Sequence, residues 1–359
     1  MKVLLLSRYG HRGASSRMRS YQYLPYLRSQ DINVTVAPLM NDEYVARLYA
    51  KKRVKFLSTI GAYMRRVKSL LLKNEYDLLW VEYEVLPWLP GLIEVWFMDK
   101  SIPYIVDYDD AVFHRYDMFP NFWVRYFLGG KIDHIMREAS AVIVGNQYLA
   151  DRAYAAGASR VEHIPTVVDL ARYSLKPRLG DKPFTIGWIG SPTTKKYLHL
   201  ISSALAEVCA DDRARIVLVG SGPCELKGVP CEIRTWSEET EVADIQSFDV
   251  GVMPLTDGPW ERGKCGYKLI QYMANGLPVV ASPVGVNQQI VEEGVNGFLA
   301  TTTDCWVRAL VKLRDDMSLR TTLGRAGRAK VEAQYCLQVT APKLVSIFRT
   351  IKNTRACAA

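Results

Sequence analysis

The feature that most constrains the fold of this chain is an alternation of short apolar segments with helical segments, which runs along the sequence twice. Apolar, β-branched segments predict strands, and apolar residues at helical spacing predict helices between them. Strands that are apolar throughout and are joined by helices form parallel sheets covered on both faces. The predicted strands are Lys2–Ser7, Ile32–Ala37, Asp77–Glu82, Tyr104–Asp107 and Ala141–Gly145 in the first run, and Phe184–Ile189, Arg215–Val219, Cys231–Thr235, Asp249–Met253 and Pro278–Ala281 in the second.

Two α/β domains in tandem follow from this repetition. The length of 359 residues also exceeds what one ordinary core holds. The segment Leu170–Pro183 is rich in basic residues, Gly and Pro, and is interpreted as the linker. We therefore predict an α/β fold with two Rossmann-like, doubly wound domains facing each other across a cleft, with ligand-binding loops at the carboxyl ends of the strands. The predicted helices are 17–29, 43–73, 121–138, 147–156, 195–209, 239–247, 266–275, 304–315, 319–334 and 339–352.

Composition excludes several classes of protein. The longest apolar candidate, Val85–Met98, is interrupted by prolines and falls short of the roughly 18 residues of a membrane span. The start of the chain reads as a buried strand instead of a signal peptide, so a cytoplasmic location is expected. The seven cysteines form no CxxC pair, and the histidines are scattered. Reduced thiols are therefore expected, without a disulfide framework or a zinc site.

The stretch Arg262–Gly285 carries the strongest functional pattern. A polar loop containing Gly follows the strand that ends at Met253, and a helix is predicted from about Gly266 to a left-handed cap at Gly276. Free backbone N–H groups and the positive end of a helix attract anions. Three cations, Arg262, Lys264 and Lys268, accompany them, so a diphosphate is the expected ligand. Gln271, one turn further on, has the donor and the acceptor that suit a ribose diol. A solvated basic face is the alternative interpretation.

Four motifs in order along the chain resemble those of family 4 (group 1) glycosyltransferases. They are YMANGLPVVAS at Tyr272–Ser282, IPTVVD at Ile164–Asp169, VGSGP at Val219–Pro223 and GVNGFL at Gly294–Leu299. The resemblance implies the GT-B fold, a nucleotide-sugar donor, retention of the anomeric configuration and no catalytic metal or other cofactor. It also implies a final helix, from about Thr340, that crosses back to the first domain. The predicted domains are residues 1–172 for the acceptor, residues 173–338 for the donor, and this helix at 339–359.

The chain departs from the family pattern at two glutamates. The first aligns with Gly263, although Glu261 is a possible substitute, and the second is Gln271. In the family the first Glu lies by the donor sugar and the second holds the ribose. Cationic residues stand in their place here, so we expect Arg262 and Lys264 to help neutralise the leaving diphosphate.

A second loop of the donor domain follows the strand Phe184–Ile189. The resemblance implies that residues in this loop grip the donor diphosphate, with Ser191 in place of the usual Arg. A loop that only caps the next helix is the alternative. The diphosphate-binding candidates here are Gly190, Ser191, Lys195 and Lys196, and those of the preceding constellation are Gly266, Lys268 and Gln271.

In the first domain, the strand from Tyr104 ends in three carboxylates, Asp107, Asp109 and Asp110. Clustered acids repel one another unless a site uses them. The resemblance implies that Asp109 and Asp110 lie close to the donor sugar, and both are candidate catalytic residues together with Arg262 and Lys264. Metal binding through a D-x-D pattern is the alternative.

Acceptor-binding candidates come from the same domain. Gly13 and Arg17 belong to the loop that follows the first strand, and His114 follows the acidic cluster. The alternatives are helix capping by Ser15 or Ser16 and a packed histidine.

The net charge of +9 is concentrated in Arg47–Lys73, which holds nine Lys or Arg and no Asp or Glu. Apolar residues alternate with these charges, and a basic amphipathic helix suits an anionic membrane surface. A core-packed helix with a solvated basic face is the alternative, and no motif for nucleic-acid binding is present.

Together these patterns predict a retaining glycosyltransferase that moves a sugar from a nucleotide-sugar to a glycan or lipid-linked acceptor. A role in bacterial surface polysaccharide or lipopolysaccharide synthesis, at the inner face of the cytoplasmic membrane, is the expected setting. A nucleotide-sugar epimerase on the same fold and a non-catalytic sugar-nucleotide-binding membrane scaffold are the alternatives.

Overall fold

A computed structural model describes residues 1–49, 56–98, 102–175 and 183–356. The chain divides into two compact units. The first unit contains the described residues of Met1–Thr166, Gly263–Cys265 and Thr340–Ala359, and the second those of Val167–Arg262 and Gly266–Val339. Part of the predicted linker, residues 176–182, lies outside the described residues.

The first unit is built on a parallel sheet of six strands in the order β2-β1-β3-β4-β5-β6. Five of them confirm the predicted strands. The sixth is an edge strand of three residues that is too short and too polar to stand out in the sequence. The strands are β1 (Lys2–Leu6), β2 (Asn33–Val36), β3 (Leu78–Glu82), β4 (Tyr104–Tyr108), β5 (Ala141–Val144) and β6 (Val161–His163).

Nine α-helices precede the second unit within the described residues. The single helix predicted over residues 43–73 is two helices, α3 and α4, and residues 50–55 lie outside the described part. The helices are α1 (Ala14–Arg19), α2 (Leu24–Ser29), α3 (Asp42–Tyr49), α4 (Phe56–Leu71), α5 (Gly91–Phe97), α6 (His114–Asp117), α7 (Phe122–Leu128), α8 (Lys131–Glu138) and α9 (Gln147–Ala155), with 3₁₀ turns at Tyr21–Tyr23 and Lys73–Glu75.

The second unit also contains a six-stranded parallel sheet, in the order β12-β11-β10-β7-β8-β9. Its strands are β7 (Phe184–Ile189), β8 (Ala214–Val219), β9 (Cys231–Arg234), β10 (Val250–Met253), β11 (Val279–Ala281) and β12 (Gly297–Leu299). The remaining helices are α10 (Ser202–Val208), α11 (Glu241–Gln246), α12 (Pro259–Arg262), α13 (Tyr267–Ala274), α14 (Asn287–Ile290), α15 (Thr303–Asp315), α16 (Met317–Gln334) and α17 (Leu337–Ala356), with 3₁₀ turns at Leu170–Arg172 and Lys195–Ile201.

Both sheets have a core on each face, as the continuous apolar strands predict. Val106 and Ile105 of β4, on opposite faces of the sheet, are both fully buried. In the second unit one cluster gathers around Ile186 and a second around Leu269 of α13. The prediction of two doubly wound α/β units is confirmed.

The helix α17 supplies the last described part of the first unit, from Thr340 onward. Its Phe348 ring packs edge-on against Trp80 of β3, with the ring centroids 5.3 Å apart. The hydroxyls of Thr340 and Tyr23 are hydrogen-bonded at 2.9 Å. Within the described residues no helix is both long enough and apolar enough to cross a bilayer.

Each sheet has a point at which the order of its strands reverses along the chain. It lies between β1 and β3 in the first sheet and between β7 and β10 in the second. Loops that leave the carboxyl ends of two such strands diverge to opposite faces of the sheet and open a crevice where ligands bind. The loops at these strand ends are therefore the places to look for functional side chains.

Candidate functional site

Asp107, the first of the three carboxylates of β4, belongs to a buried ion pair. Its Oδ1 accepts a hydrogen bond from Arg19 Nε at 2.8 Å, and both side chains are almost completely buried. Arg19 also donates to the backbone oxygen of Ile164 at 2.8 Å. Burial raises the pKa of Asp107 to about 6, although the charge of Arg19 opposes that shift. Asp107 is thus held inside the first unit by Arg19.

Asp109 lies at the carboxyl end of β4 and is oriented by two hydroxyls. Its carboxylate accepts from Ser15 Oγ at 2.8 Å and from the hydroxyl of Tyr83. Ser15 therefore contributes to the acidic cluster, while α1 begins after Gly13 without a side-chain cap. Tyr83 follows β3 in a left-handed backbone conformation, with φ of +63°, which is uncommon for a residue with a side chain. The cluster thus joins α1 with the ends of β3 and β4.

Asp110 and Lys264, both predicted to be catalytic, lie together in the first unit. Lys264 Nζ is 3.5 Å from Asp110 Oδ1. Burial raises the pKa of Asp110 to about 6, and the opposite charge of Lys264 acts against that rise. Asn146 holds the lysine's loop, because its amide donates to the backbone oxygens of Gly263 and Lys264 at 2.8 and 3.1 Å.

Gly263, where the family pattern has its first glutamate, has no room for a side chain. A Cβ there would lie 2.5 Å from Ala111 Cβ and 2.8 Å from Ala111 N. Such distances require the backbone to move. The tight packing of this loop on Ala111 is thus a physical reason for the missing carboxylate.

In the second unit, Gly190 and Lys268 of the predicted diphosphate site lie side by side. A Cβ on Gly190 would come within 2.6 Å of the Trp188 ring and 2.8 Å of Lys268 Cε. Lys268 Nζ lies 5.1 Å from the Trp188 ring centroid, in cation–π geometry. The missing side chain at Gly190 therefore lets Lys268 approach the carboxyl end of β7.

The other lysines of this loop begin the 3₁₀ turn that follows β7. Lys195 Nζ donates to the backbone oxygen of Pro223. Lys196 Nζ lies 5.0 Å from the Tyr197 ring centroid. Ser191 Oγ is hydrogen-bonded to Thr193 Oγ1 at 2.8 Å. These groups lie at the ends of β7 and β8. The helix predicted over residues 195–209 is a 3₁₀ turn followed by α10.

The helix α13 begins after Gly266, which adopts a left-handed conformation with φ of +64°. Lys264 therefore lies in the preceding loop and does not share a helical face with Lys268. Gln271 is only 2% exposed, and its amide nitrogen lies 3.4 Å from the Tyr173 hydroxyl. That hydroxyl lies 3.5 Å from Glu241 Oε1. The assignment of Gln271 to a ribose stays a prediction.

Arg262 ends α12 and forms an ion pair with Asp257, at 2.6 Å between Nε and Oδ1, on an exposed surface. Glu261, the possible substitute for the family's first glutamate, is buried and accepts a hydrogen bond from the Tyr197 hydroxyl. Both residues belong to the loop that leaves the carboxyl end of β10, beside the strand-order reversal of the second sheet.

The three acceptor-binding candidates are spread over two structural settings. Gly13 packs against Tyr9, and Arg17 is buried with Nη1 donating to the backbone oxygen of His11 at 3.3 Å. His114 lies between Asp117, at 2.8 Å from Nδ1, and the Tyr148 hydroxyl, at 2.7 Å from Nε2. The histidine thus takes part in a local hydrogen-bond network, and its assignment to the acceptor stays a prediction.

The basic stretch Arg47–Lys73 is less uniform than its sequence indicates. Arg66 and Lys73 are buried, and Arg66 Nη2 donates to the backbone oxygen of Ser7 at 2.5 Å. Arg65 and Lys68 of α4 are exposed. The described part of the stretch thus presents fewer cations to solvent than the sequence count.

Among the described residues, no group of three or more His, Cys, Asp or Glu side chains is arranged to hold a metal ion. The described cysteines are all free thiols. Cys265, beside the acidic cluster, donates to the backbone oxygen of Asp109 at 3.1 Å.

Comparison with known proteins bears on the second unit most directly. Residues 183–316 match the model of the family described as Glycosyl transferases group 1. Residues 183–316 form a group 1 glycosyltransferase domain. The resemblance inferred from the sequence motifs is confirmed, and the domain contains the loops after β7, β8, β10 and β11.

Relatives of the glycosyltransferase domain cover the chain only in part. Sulfoquinovosyl transferase SQD2 of Arabidopsis thaliana is 30% identical over 165 residues, which are 42% of this chain and 30% of the relative. Phosphatidyl-myo-inositol mannosyltransferase of Mycobacterium leprae is 28% identical over 206 residues, which are 54% of this chain and 52% of the relative. The matched stretch thus spans about half or less of these relatives.

The solved structure of HepE from Anabaena in complex with UDP-glucose covers 99% of this chain and 100% of its own, at a TM-score of 0.71 and 18% identity. This likeness concerns the fold. The fold class predicted from the sequence, α/β of the GT-B type, is confirmed.

Sequence reasoning missed residues that orient the acidic cluster and the loop of Lys264. Tyr83 follows β3, within the polar run Glu82-Tyr83-Glu84, and Asn146 follows β5. Polar residues directly after a buried strand were the available sign, since the ends of parallel strands meet at one edge of the sheet. Arg19 gave no such sign, because its partner, Asp107, is 88 positions away in sequence.

Proposed function

We propose that this chain transfers a sugar from a nucleotide-sugar donor to a glycan or lipid-linked acceptor, with retention of the anomeric configuration. The observation that carries the proposal is the group 1 glycosyltransferase match over residues 183–316. This region includes the loop after β7, with Gly190 and Ser191, and Lys268 in the first turn of α13. HepE, which shares the fold, was crystallised in complex with UDP-glucose, so uridine nucleotides are the first donors to test.

The second unit binds the donor diphosphate in this proposal. Lys268 lies beside Gly190 at the end of β7, with its ammonium over the Trp188 ring. Gly190 is followed along the chain by Ser191, Lys195 and Lys196. The N–H groups at the start of α13, after Gly266, add hydrogen-bond donors. Gln271 contacts the ribose after the long hydrogen bond from its amide to the Tyr173 hydroxyl breaks.

In the proposed mechanism, charged side chains stabilise the opposite charges that develop during sugar transfer. Negative charge builds on the departing diphosphate, and preorganised cations stabilise it. Arg262 and Lys264 supply those cations, each already oriented by a carboxylate, Asp257 or Asp110. Asp109 and Asp110 orient hydroxyls of the donor sugar and stabilise positive charge at the anomeric carbon. An oxygen of the leaving phosphate takes the proton of the acceptor hydroxyl on the same face, which retains the configuration.

The acceptor belongs to the first unit in this proposal, with Gly13, Arg17 and His114 near it. A lipid-linked acceptor is supported by the Mycobacterium leprae relative, which is named as a phosphatidyl-myo-inositol mannosyltransferase. The exposed Arg65 and Lys68 of α4 support contact of the stretch 47–73 with an anionic membrane surface. The cellular setting is surface polysaccharide or lipopolysaccharide synthesis at the inner face of the cytoplasmic membrane.

The test measures release of nucleoside diphosphate from a panel of nucleotide-sugars, with and without a membrane extract that contains acceptor lipids. The proposal predicts release that depends on the acceptor, a product of retained configuration by NMR, and full activity after metal chelation. Conversion of the donor sugar without any acceptor would identify an epimerase. A donor that binds without release or conversion under any condition would identify a scaffold.

A further inference from the structure

The first unit contains an apolar groove between α4 and the segment that follows β3. Its volume is about 650 Å³, and apolar atoms form nearly all of its lining. Ile60, Met64 and Leu71 of α4 lie on one side, and Leu86, Leu89 and Phe97 on the other. Tyr63 also lines the groove, but its hydroxyl is satisfied by the backbone oxygen of Pro87 at 2.7 Å. The lining thus offers little to a polar ligand.

Exposed apolar side chains concentrate in the same part of the first unit. Of the 22 exposed large apolar residues among the described ones, 16 lie between Leu48 and Phe127. On α4, Met64 is 69% exposed and Leu57 is 80% exposed. Soluble proteins rarely leave large apolar side chains exposed in such concentration unless the surface contacts another molecule. The groove therefore lies in the part of the chain that holds most of the exposed large apolar side chains.

The helix α7 extends this region with aromatic residues. Phe122, Trp123, Tyr126 and Phe127 are each more than half exposed and stack on one another. Trp88, next to Leu89 in the groove, packs edge-on against Phe119, with ring centroids 5.6 Å apart. Trp and Tyr favour the boundary between the headgroups and the hydrocarbon of a bilayer.

The charge near the groove decides between possible partners. Lys68 lines the groove, Arg65 is one turn away on α4, and residues 56–74 contain no Asp or Glu. Basic residues on an apolar helix face, together with exposed Trp, are characteristic of binding to anionic lipid. A partner with a long apolar part and an anionic head matches both the lining and the cations.

We propose that the groove between α4 and α5 binds a hydrocarbon chain of an anionic membrane lipid, with the aromatic residues of α7 at the headgroup boundary. This inference rests on the membrane contact of the proposed function and specifies how it is made. Each methylene that enters the groove strengthens binding about fourfold. Burial of apolar surface therefore holds the first unit to the membrane after the cations have attracted it.

The test uses the full chain and vesicles of phosphatidylcholine with roughly one-third phosphatidylglycerol, in about 0.5 M salt to screen charge attraction. Met64→Glu is expected to lower the vesicle-bound fraction about tenfold or more, because the new carboxylate lies at the groove. Met317→Glu is the matched control, since Met317 is an exposed methionine at the start of α16 in the second unit. The control is expected to bind as the wild type does.

A second measurement locates the lipid chain. Vesicles that contain phosphatidylglycerol with a photoreactive diazirine in one acyl chain are expected to label residues 59–71 and 86–97. Labelling absent from both segments, or unchanged binding of Met64→Glu, would overturn the proposal. Self-association that Met64→Glu abolishes, without vesicle binding by the wild type, would assign the surface to a second copy of the chain and also overturn it.

Nucleotide binding separates this inference from the proposed function. Met64→Glu is expected to unfold at the wild-type temperature and to bind nucleoside diphosphate normally, because Met64 is exposed and belongs to the first unit. If the wild type binds no nucleotide but labels at the groove, the proposed function fails and the lipid site stands. If the wild type binds nucleotide but is not labelled at the groove, the lipid site fails and the proposed function stands.

Discussion

Removal of the cation beside Asp110, by Lys264→Met, is expected to raise the pKa of that carboxyl. Lys264 Nζ lies 3.5 Å from Asp110 Oδ1, at a partly exposed position. With an effective dielectric constant of about 40, between about 20 for buried pairs and about 80 for water, the attraction is about 2.4 kcal/mol. This corresponds to about 1.7 pKa units. The pKa of Asp110, about 6 in the wild type, is therefore expected between about 7 and 8 in the variant.

The stability of the variant should depend on pH in a related way. A carboxyl whose folded pKa exceeds its unfolded value destabilises the native state as pH rises, until the folded pKa is passed. For Asp110 that loss ends near pH 6 in the wild type and continues to about pH 7 to 8 in Lys264→Met. The difference in unfolding free energy between the two proteins should therefore appear as pH rises from about 6 to 8.

Carbon-13 NMR of protein labelled at the aspartate carboxyls measures the pKa directly, and Asp110→Asn identifies the signal. Lys196→Met, which removes a lysine of the second unit, serves as the control and is expected to leave the titration unchanged. A midpoint in Lys264→Met within about half a pKa unit of the wild type would refute the electrostatic coupling of the pair.

Three further outcomes are expected. Gly190→Ala should weaken nucleotide binding in calorimetric titration and lower the free energy of unfolding by about 1–3 kcal/mol, because its Cβ would meet Trp188 and Lys268 at 2.6 and 2.8 Å. The control Gly61→Ala in α4, where the nearest contact of the new Cβ is at 3.6 Å, should be neutral or slightly stabilising. Arg19→Met should lower the free energy of unfolding in urea by about 3–5 kcal/mol at pH 8, and by less at pH 5, where Asp107 is protonated. The control Arg213→Met, at an exposed ion pair, should change that free energy by less than about 1 kcal/mol. Gln271→Glu, which restores the family's carboxylate, should lower the free energy of unfolding by about 1–3 kcal/mol, because it places two carboxylates around the Tyr173 hydroxyl. An unchanged or raised melting temperature would show that the contact between Tyr173 and Glu241 does not constrain position 271.

Much of the fold was accessible from the sequence because its strands are buried on both faces. Strands such as β3 and β7 are mostly apolar and fully buried, and their predicted bounds agree with the structure within about two residues. The edge strands β6 and β12 have three residues each and were missed. Short edge strands depend on pairing with a neighbour, which no local pattern reveals.

The candidate site was accessible only in part, because its partners come from distant positions. The family motifs and strand ends pointed to Asp110 and Lys264 separately, but their pairing depends on the fold of a loop 154 positions further along the chain. Lys264 and Lys268 are close in sequence but belong to different elements, because α13 begins at Tyr267. Left-handed Gly266 ends the preceding loop, so residues before it do not follow helical periodicity.

The absent glutamates have structural explanations that the sequence could not supply. Gly263 packs against Ala111 too closely for any side chain. Gln271 is buried beside a tyrosine that already lies near Glu241, where an amide avoids a second buried charge. Both positions depend on tertiary contacts, and only the motif register was visible in the sequence.

The most direct test of the central claim is nucleotide binding by the second unit, measured as the melting temperature of the full chain with each nucleoside diphosphate and its common sugar conjugates. A ligand at roughly 100 times its Kd stabilises the folded state by about 2.7 kcal/mol, which raises the melting temperature by several degrees. The account predicts such a rise for one nucleotide, with uridine diphosphate the first to try, and a much smaller rise in Gly190→Ala. No rise with any nucleotide, or an equal rise in Gly190→Ala, would contradict it.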